Sequence, residues 1–192
     1  GPHVVRMKAL LDTVGSPKSF VMTMNAGAIP PEHWTQDREK GGGRIIGEAC
    51  HLVDLMRHLA GHPIVRVTAT RMADNAFEAV TEDKAFIILD FEDGSHGIIH
   101  YLANGAAAFP KERVEAFTAG RVLQLNNYRE LRGFGWPGFR RARSFRQDKG
   151  QAACAAAFYD ALVRGAPSPI PVEELFEVSE RTIEAAEQMR IR

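Results

Sequence analysis

Glu48, His51 and Asp54 follow one another at three-residue spacing, directly after Gly41-Gly42-Gly43-Arg44-Ile45-Ile46-Gly47. On an α-helix, positions three apart lie on nearly the same face. The segment therefore presents an acid, an imidazole and a second acid as one polar stripe. Beside it is a glycine loop able to approach a ligand closely. Leu52, Leu55, Met56 and Leu59 supply the apolar flank that would seat such a helix on a core.

Several chemistries compete for this stripe. A dinucleotide turn needs Gly-x-Gly-x-x-Gly after a strand, but Ile46 occupies the sixth position and the preceding His33–Lys40 stretch is polar. A phosphate loop needs Lys and then Ser or Thr after the last glycine, and Glu48-Ala49 stand there instead. A metal site could draw on Glu48, His51, Asp54 and His58. One straight helix rarely completes a ligand shell, and no second His/Cys cluster occurs elsewhere, so no metal is assigned. Two readings remain: an ordinary packed helix in which His51 bonds Asp54, or an acid–base histidine held by a neighbouring carboxylate.

The surrounding elements must position this helix. Val4–Val14 reads as a helix ended by Gly15-Ser16-Pro17, Ser19–Asn25 as a strand, and 26–40 as a loop. The stripe helix runs from about Gly47 to Ala60, stopped by Gly61 and Pro63. Ile64–Arg71, Lys84–Phe91 and His96–Leu102 read as strands, the last two joined by a turn at Glu92–Ser95. Arg113–Ala119 and Arg121–Asn126 form a second hairpin around Gly120. Gln151–Arg164 and Val172–Arg190 close the chain as helices, the last with Val172, Leu175, Phe176, Ile183 and Ala186 as its expected core stripe. Consecutive hairpins predict an α+β fold. Its sheet is predominantly antiparallel and open, with helices packed on one face and the other face left for a partner.

At 192 residues a single domain over 1–192 is expected, with enough chain for a substantial core. Lys plus Arg equals Asp plus Glu, 24 each, so no overall field draws the chain to nucleic acid or membrane. No apolar run approaches the ~20 residues of a membrane span. Only Cys50 and Cys154 occur, which favours a reducing, cytoplasmic setting over a disulfide scaffold. Cys50 reads as a small packed residue rather than a nucleophile.

The segment Gly41–Gly61, read as Gly-Gly-Gly-Arg-Ile-Ile-Gly-Glu-Ala-Cys-His-Leu-Val-Asp-Leu-Met-Arg-His-Leu-Ala-Gly, resembles the start of the C-terminal domain of the Gfo/Idh/MocA oxidoreductases. Asn25-Ala26-Gly27, Trp34, Phe109-Pro110-Lys111-Glu112, Tyr128-Arg129-Glu130-Leu131 and the aromatic loop Gly133–Phe139 keep the same order. The resemblance implies a substrate-binding and oligomerisation domain of an NAD(P)-dependent enzyme acting on a sugar or sugar-nucleotide hydroxyl. It also implies an N-terminal Rossmann domain that is absent from this chain, which alone would then hold no NAD or NADP and be inactive. His51 corresponds to the family's proton-carrying histidine. Histidine's ordinary pKa of about 6.5 suits exchange near neutrality. The aspartate often found four residues earlier is Gly47 here, so Glu48 or Asp54 would orient the ring. Asn25, Trp34, Arg44 and Lys111 are the candidate substrate contacts. A homo-oligomer, with a dimer as the commonest form, is expected. A non-catalytic binding or assembly module is the alternative.

Gly133–Lys149 interleaves Phe134, Trp136, Phe139 and Phe145 with Arg140, Arg141, Arg143, Arg146 and Lys149. Such a pattern can stack and hold nucleic acid, but the balanced charge argues against it. A solvated loop anchored by aromatics, or an arginine contact to sugar-nucleotide phosphates, is the reading retained.

Overall fold

The computed structural model describes residues 1–191. In chain order it contains α1 (Pro2–Leu11), β1 (Ser19–Asn25), a 3-10 turn (Trp34–Gln36), a π-helical turn (Ile45–Ala49) and α2 (Cys50–Ala60). There follow β2 (Ile64–Arg71), β3 (Lys84–Phe91), β4 (His96–Leu102), β5 (Glu112–Thr118), β6 (Arg121–Asn126), β7 (Glu130–Phe134) and β8 (Arg141–Arg143). The chain ends in α3 (Gln151–Arg164) and α4 (Val172–Arg190).

The eight strands form one sheet in the order β2-β3-β4-β1-β5-β6-β7-β8. Every neighbouring pair is antiparallel except β1 and β4, which run parallel with Ser19 opposite His96. The expected α+β fold is therefore present. The single parallel pairing arises because the chain leaves β1, crosses through α2, β2 and β3, and returns as β4 beside β1. β7 and β8 also join the sheet; β8 and the last two residues of β7 fall in the Gly133–Lys149 stretch read from sequence as a loop. They are short and carry Arg132, Arg141 and Arg143 in place of an apolar alternation.

One face of the sheet is the core. Phe20, Met22, Ile87, Leu89, Ile99, Tyr101, Val114, Ala116, Leu123 and Leu125 alternate along their strands and are buried beneath the helices. α2 contributes Leu52, Val53, Leu55, Met56 and Leu59, and α1 contributes Val4, Met7 and Leu11. The helix approaches β4 so closely that a Cβ on Gly97 would lie 2.6 Å from the Met56 sulfur and 2.7 Å from Phe20 Cβ. The opposite face is uncovered. Phe86, Ile88, Phe117 and Phe134 project from it, all exposed.

The last helix departs from its expected orientation. Val172, Leu175, Phe176 and Ile183 are exposed, and only Ala186 of the expected stripe is buried. The core side is instead Val178, Thr182, Ala185, Ala186 and Met189. Polar groups set this rotation. β2 is an edge strand, and edge strands leave unpaired backbone groups that need partners. Gln188 Nε2 donates to Val67 O (3.0 Å) while its Oε1 accepts from the Ala69 N–H (2.8 Å), and Glu177 Oε1 accepts from the Ile64 N–H. Turning the large apolar residues inward would have broken that clasp.

Candidate functional site

Helix α2 begins irregularly. Residues Ile45–Ala49 form a π-helical turn before regular α geometry starts at Cys50. A π-turn inserts an extra residue and changes the phase of the side chains around it, and such bulges recur at functional sites. Glu48 lies inside this turn and His51 just beyond it, so the straight-helix spacing does not hold between them.

Glu48 is engaged away from His51. The Arg44 guanidinium grips it with two bonds, Nε to Oε1 at 3.1 Å and Nη2 to Oε2 at 3.2 Å. The Tyr101 hydroxyl donates to Oε2 at 2.8 Å. Arg44 is itself buried and donates to Gly27 O (2.7 Å) and Ala26 O (3.3 Å), with Asp83 3.7 Å away. Burial works against the Glu48 carboxylate, but the Arg44 fork and the Tyr101 hydroxyl outweigh it and hold its pKa below the usual range. Burial and the bond to Glu48 push the Tyr101 phenol far up, so it remains a donor. Tyr101 was not identified from sequence. Its position on the helix-facing side of β4, where a buried phenol needs a polar partner, was the available signal.

His51 stands in the open. Its ring makes no hydrogen bond to any described residue, neither to Glu48 nor to Asp54, and its side chain is exposed in a cleft of about 950 Å³. Several elements build the walls. The π-turn supplies Glu48, and α2 supplies His51, Asp54 and His58; the start of β5 with the residue before it, and the turn before β7, supply Lys111, Glu112 and Tyr128; the first half of α3 supplies Cys154 and Phe158; and Val4 comes from α1. Burial raises the Asp54 carboxyl, a shift that His58 and His51 only partly oppose. Burial also raises the Cys50 thiol, which suits a packed residue and not a nucleophile.

The other sequence candidates separate. Lys111 lies on the cleft wall, exposed and without an ion pair among the described residues. Asn25 is buried and acts as a clamp. Its Nδ2 donates to Ala106 O (2.8 Å) and Phe109 O (3.3 Å), and its backbone N–H donates to Lys111 O (2.8 Å). It thus secures the loop that carries Lys111. Arg44 is a buried tether and does not line the cleft. Trp34 is exposed beside His33, also outside it. The glycine loop serves the chain's own packing: a Cβ on Gly41 would lie 2.5 Å from Trp34 O, and Arg190 of α4 donates to Gly42 O (2.6 Å).

Of the aromatic–basic stretch, only Lys149 reaches the cleft. Trp136 and Phe139 are buried anchors, with Trp136 Nε1 donating to Val122 O (3.0 Å). Arg140 and Arg141 line a separate groove with His3 and Arg6, and Arg141 pairs with Glu130. Among the described residues no group of three or more His, Cys, Asp or Glu side chains is arranged to hold a metal ion, and no helix is long and apolar enough to cross a membrane.

A family model described as the GFO/IDH/MocA C-terminal domain matches residues 4–122. No curated protein matches the chain. Among solved structures, the aldose-aldose oxidoreductase from Caulobacter crescentus, complexed with glycerol, is similar at 17% identity and a TM-score of 0.76, over 97% of this chain and 58% of that one. The UDP-N-acetylglucosamine 3-dehydrogenase from Acidithiobacillus ferrooxidans is similar at 18% identity and a TM-score of 0.71, over 98% and 60%. A levoglucosan dehydrogenase, in complex with NADH and levoglucosan, is similar at 18% identity and a TM-score of 0.75, over 97% and 62%. At such identities the likeness establishes the fold. The chain spans about three-fifths of the length of each of these structures.

Proposed function

We propose, from the premise that this chain belongs to the GFO/IDH/MocA C-terminal domain family, that it is the substrate-binding and subunit-contact domain of an NAD(P)-dependent oxidoreductase acting on a sugar or sugar-nucleotide hydroxyl. One observation carries the catalytic half of this reading. Among the described residues the His51 imidazole has no hydrogen bond and Lys111 no ion pair, and both line one large cleft. A histidine that merely packed would have been paired or covered. The relatives of similar fold include enzymes named for aldoses, a UDP-sugar and levoglucosan, the last bound with NADH.

The glycine loop of this chain does not cradle a dinucleotide, since its glycines admit the chain's own backbone and are tied to Arg190. In this reading the dinucleotide rests on another part of the polypeptide and, when bound, supplies the hydride acceptor. This chain's residues do the remainder. Lys111 holds the substrate oxygen, with its loop fixed by Asn25. His51 takes the proton from the hydroxyl whose carbon becomes a carbonyl, a general-base step. Glu48 steadies the first turn of the helix through Arg44 and Tyr101 and does not touch the ring. Asp54, partly buried, lines the cleft on the same helix as His51. Neither Cys50 nor Cys154 is in a disulfide, which suits a reducing, cytoplasmic setting.

The test is NAD(P)H formation by the polypeptide that carries this chain together with its nucleotide-binding half. A panel of aldoses, anhydrosugars and UDP-sugars should contain a substrate that drives reduction. Silence across the whole panel would remove the reading.

The assembly role rests on a second observation, the uncovered sheet face with Phe86, Ile88, Phe117 and Phe134 exposed. Large exposed apolar side chains on an uncovered sheet face suit an interaction surface, and a two-fold pairing of like faces is the commonest solution. Light scattering on this chain should give at least twice the monomer mass. A strict monomer at high concentration would exclude sheet-mediated assembly.

A further inference from the structure

The cleft holds a second polar station, built by elements other than α2. The turn between β6 and β7 places Asn127 (φ +47°) and Tyr128 (φ +52°) both in the left-handed region, with the Arg129 N–H donating to Asn126 O (2.9 Å). Asparagine tolerates that region, but a bulky aromatic there is strained, and glycine is the usual choice at such a position. Strain of this kind persists only where surrounding contacts enforce it, and it concentrates at ligand sites.

The enforcing contacts are present. The Asn127 N–H donates to Glu112 O (2.8 Å), and the Glu112 N–H donates to Asn127 Oδ1 (2.7 Å). Gln147 Nε2 donates to Asn127 O (2.9 Å). The Lys149 ammonium lies 5.3 Å from the centre of the Tyr128 ring and is bonded to Glu112 Oε1. The turn is thereby locked so that Tyr128 lines the cleft. Two polar atoms are nevertheless left over. The Tyr128 hydroxyl bonds no described residue, and Glu112 Oε2 is buried without a partner, on a side chain only 8% exposed. Buried acceptors without partners are rare enough to need an explanation.

We propose that Tyr128, with Lys149 and Glu112 behind it, is a specificity-determining contact that recognises a neutral hydroxyl of the substrate. This rests on the sugar reading given above and deepens it. The charges favour a neutral hydroxyl over a phosphate: Lys149 is already neutralised by Glu112, so the station carries no net positive charge to attract an anion. Burial, with the Glu112 charge nearby, pushes the Tyr128 phenol up to about 12, so it stays protonated and can donate. One substrate hydroxyl would accept from Tyr128.

The experiment is an amide NMR titration of this chain with two probes, methyl β-D-glucopyranoside and inorganic phosphate, on wild type and Tyr128→Phe. The substitution removes one oxygen and keeps the ring, the turn and the cation above it. The glucoside should shift the amides of Asn127–Arg129 saturably, and Tyr128→Phe should weaken it by about fivefold, the effect of one neutral hydrogen bond. The melting temperature should not change. Absence of shifts at that turn, equal glucoside affinity in the variant, or phosphate binding there more tightly than the glucoside would each overturn the inference. Turnover by the larger polypeptide, together with any of those results, would leave the oxidoreductase reading standing and remove only this subsite.

Discussion

Turnover should fall by about 100- to 10,000-fold when His51 is replaced by alanine in the polypeptide that carries both halves of the enzyme, the range expected for loss of a positioned general base. The substitution should be nearly silent in stability. His51 is exposed and bonded to no described residue, and surface changes of that kind usually fall within about 0.5 kcal/mol. A large loss of kcat at unchanged melting temperature therefore isolates chemistry from folding. Added imidazole should restore part of the rate, because the cleft is wide enough to admit it. If His51→Ala turned over within threefold of wild type across the pH range, the base would have to be sought elsewhere, and Asp54 would be the next group to replace.

The second large effect is on the fold. Arg44→Met should lower the melting temperature by about 6–12 °C. Removing one member of a buried ion pair costs on the order of 3 kcal/mol or more. In a domain of this size each kcal/mol corresponds to about 2–4 °C. The cost sits at the lower end of that range because the partners keep other bonds. Asp83 still accepts from Gln36 and Lys84, and Glu48 still accepts from Tyr101. What is lost is the fork on Glu48 and the two bonds that pin Ala26 O and Gly27 O to the helix start.

Proton linkage gives that prediction a sign that packing alone would not. In the wild type Glu48 lies below its usual value of 4.5, so its charged form contributes stability above that value and the contribution is lost as pH falls through the lower folded value. Without Arg44 the opposing effect of burial prevails, and the charged carboxylate becomes a burden near neutrality. The gap between wild type and Arg44→Met should therefore be wide at pH 7 and narrow markedly between about pH 5 and pH 3. Thermal denaturation at both ends of that window measures it. A variant melting within 2 °C of wild type at pH 7, or a gap that does not change with pH, would show that the buried cluster contributes little.

The polar stripe on α2, its apolar flank and its glycine stop were legible in the chain because each depends on residues within a few turns of one another. The same holds for the two hairpins and for the helices at either end. The site itself was only half legible. His51, Glu48, Asp54 and Lys111 do meet at one cleft. Glu48, however, belongs to a π-turn that no propensity signalled, and it bonds Arg44 and Tyr101 in place of the imidazole. Asn25 and Arg44, read as substrate contacts, are buried groups that hold loops in place.

Local spacing alone determined that one helix would carry His51 and Asp54 on a polar face above an apolar flank, since a helix repeats its face every few residues whatever lies around it. Tertiary structure decided which groups that helix faces. The parallel pairing of β1 with β4 places Asn25 next to Leu102, one residue past Tyr101, and so gathers the loop clamp and the Glu48 partner at one end of the sheet. The rotation of α4 followed from the bare backbone of an edge strand far away in sequence. Burial and hydrogen-bond satisfaction are settled between segments about fifty to more than a hundred residues apart, and no window along the chain contains both sides of such a contact.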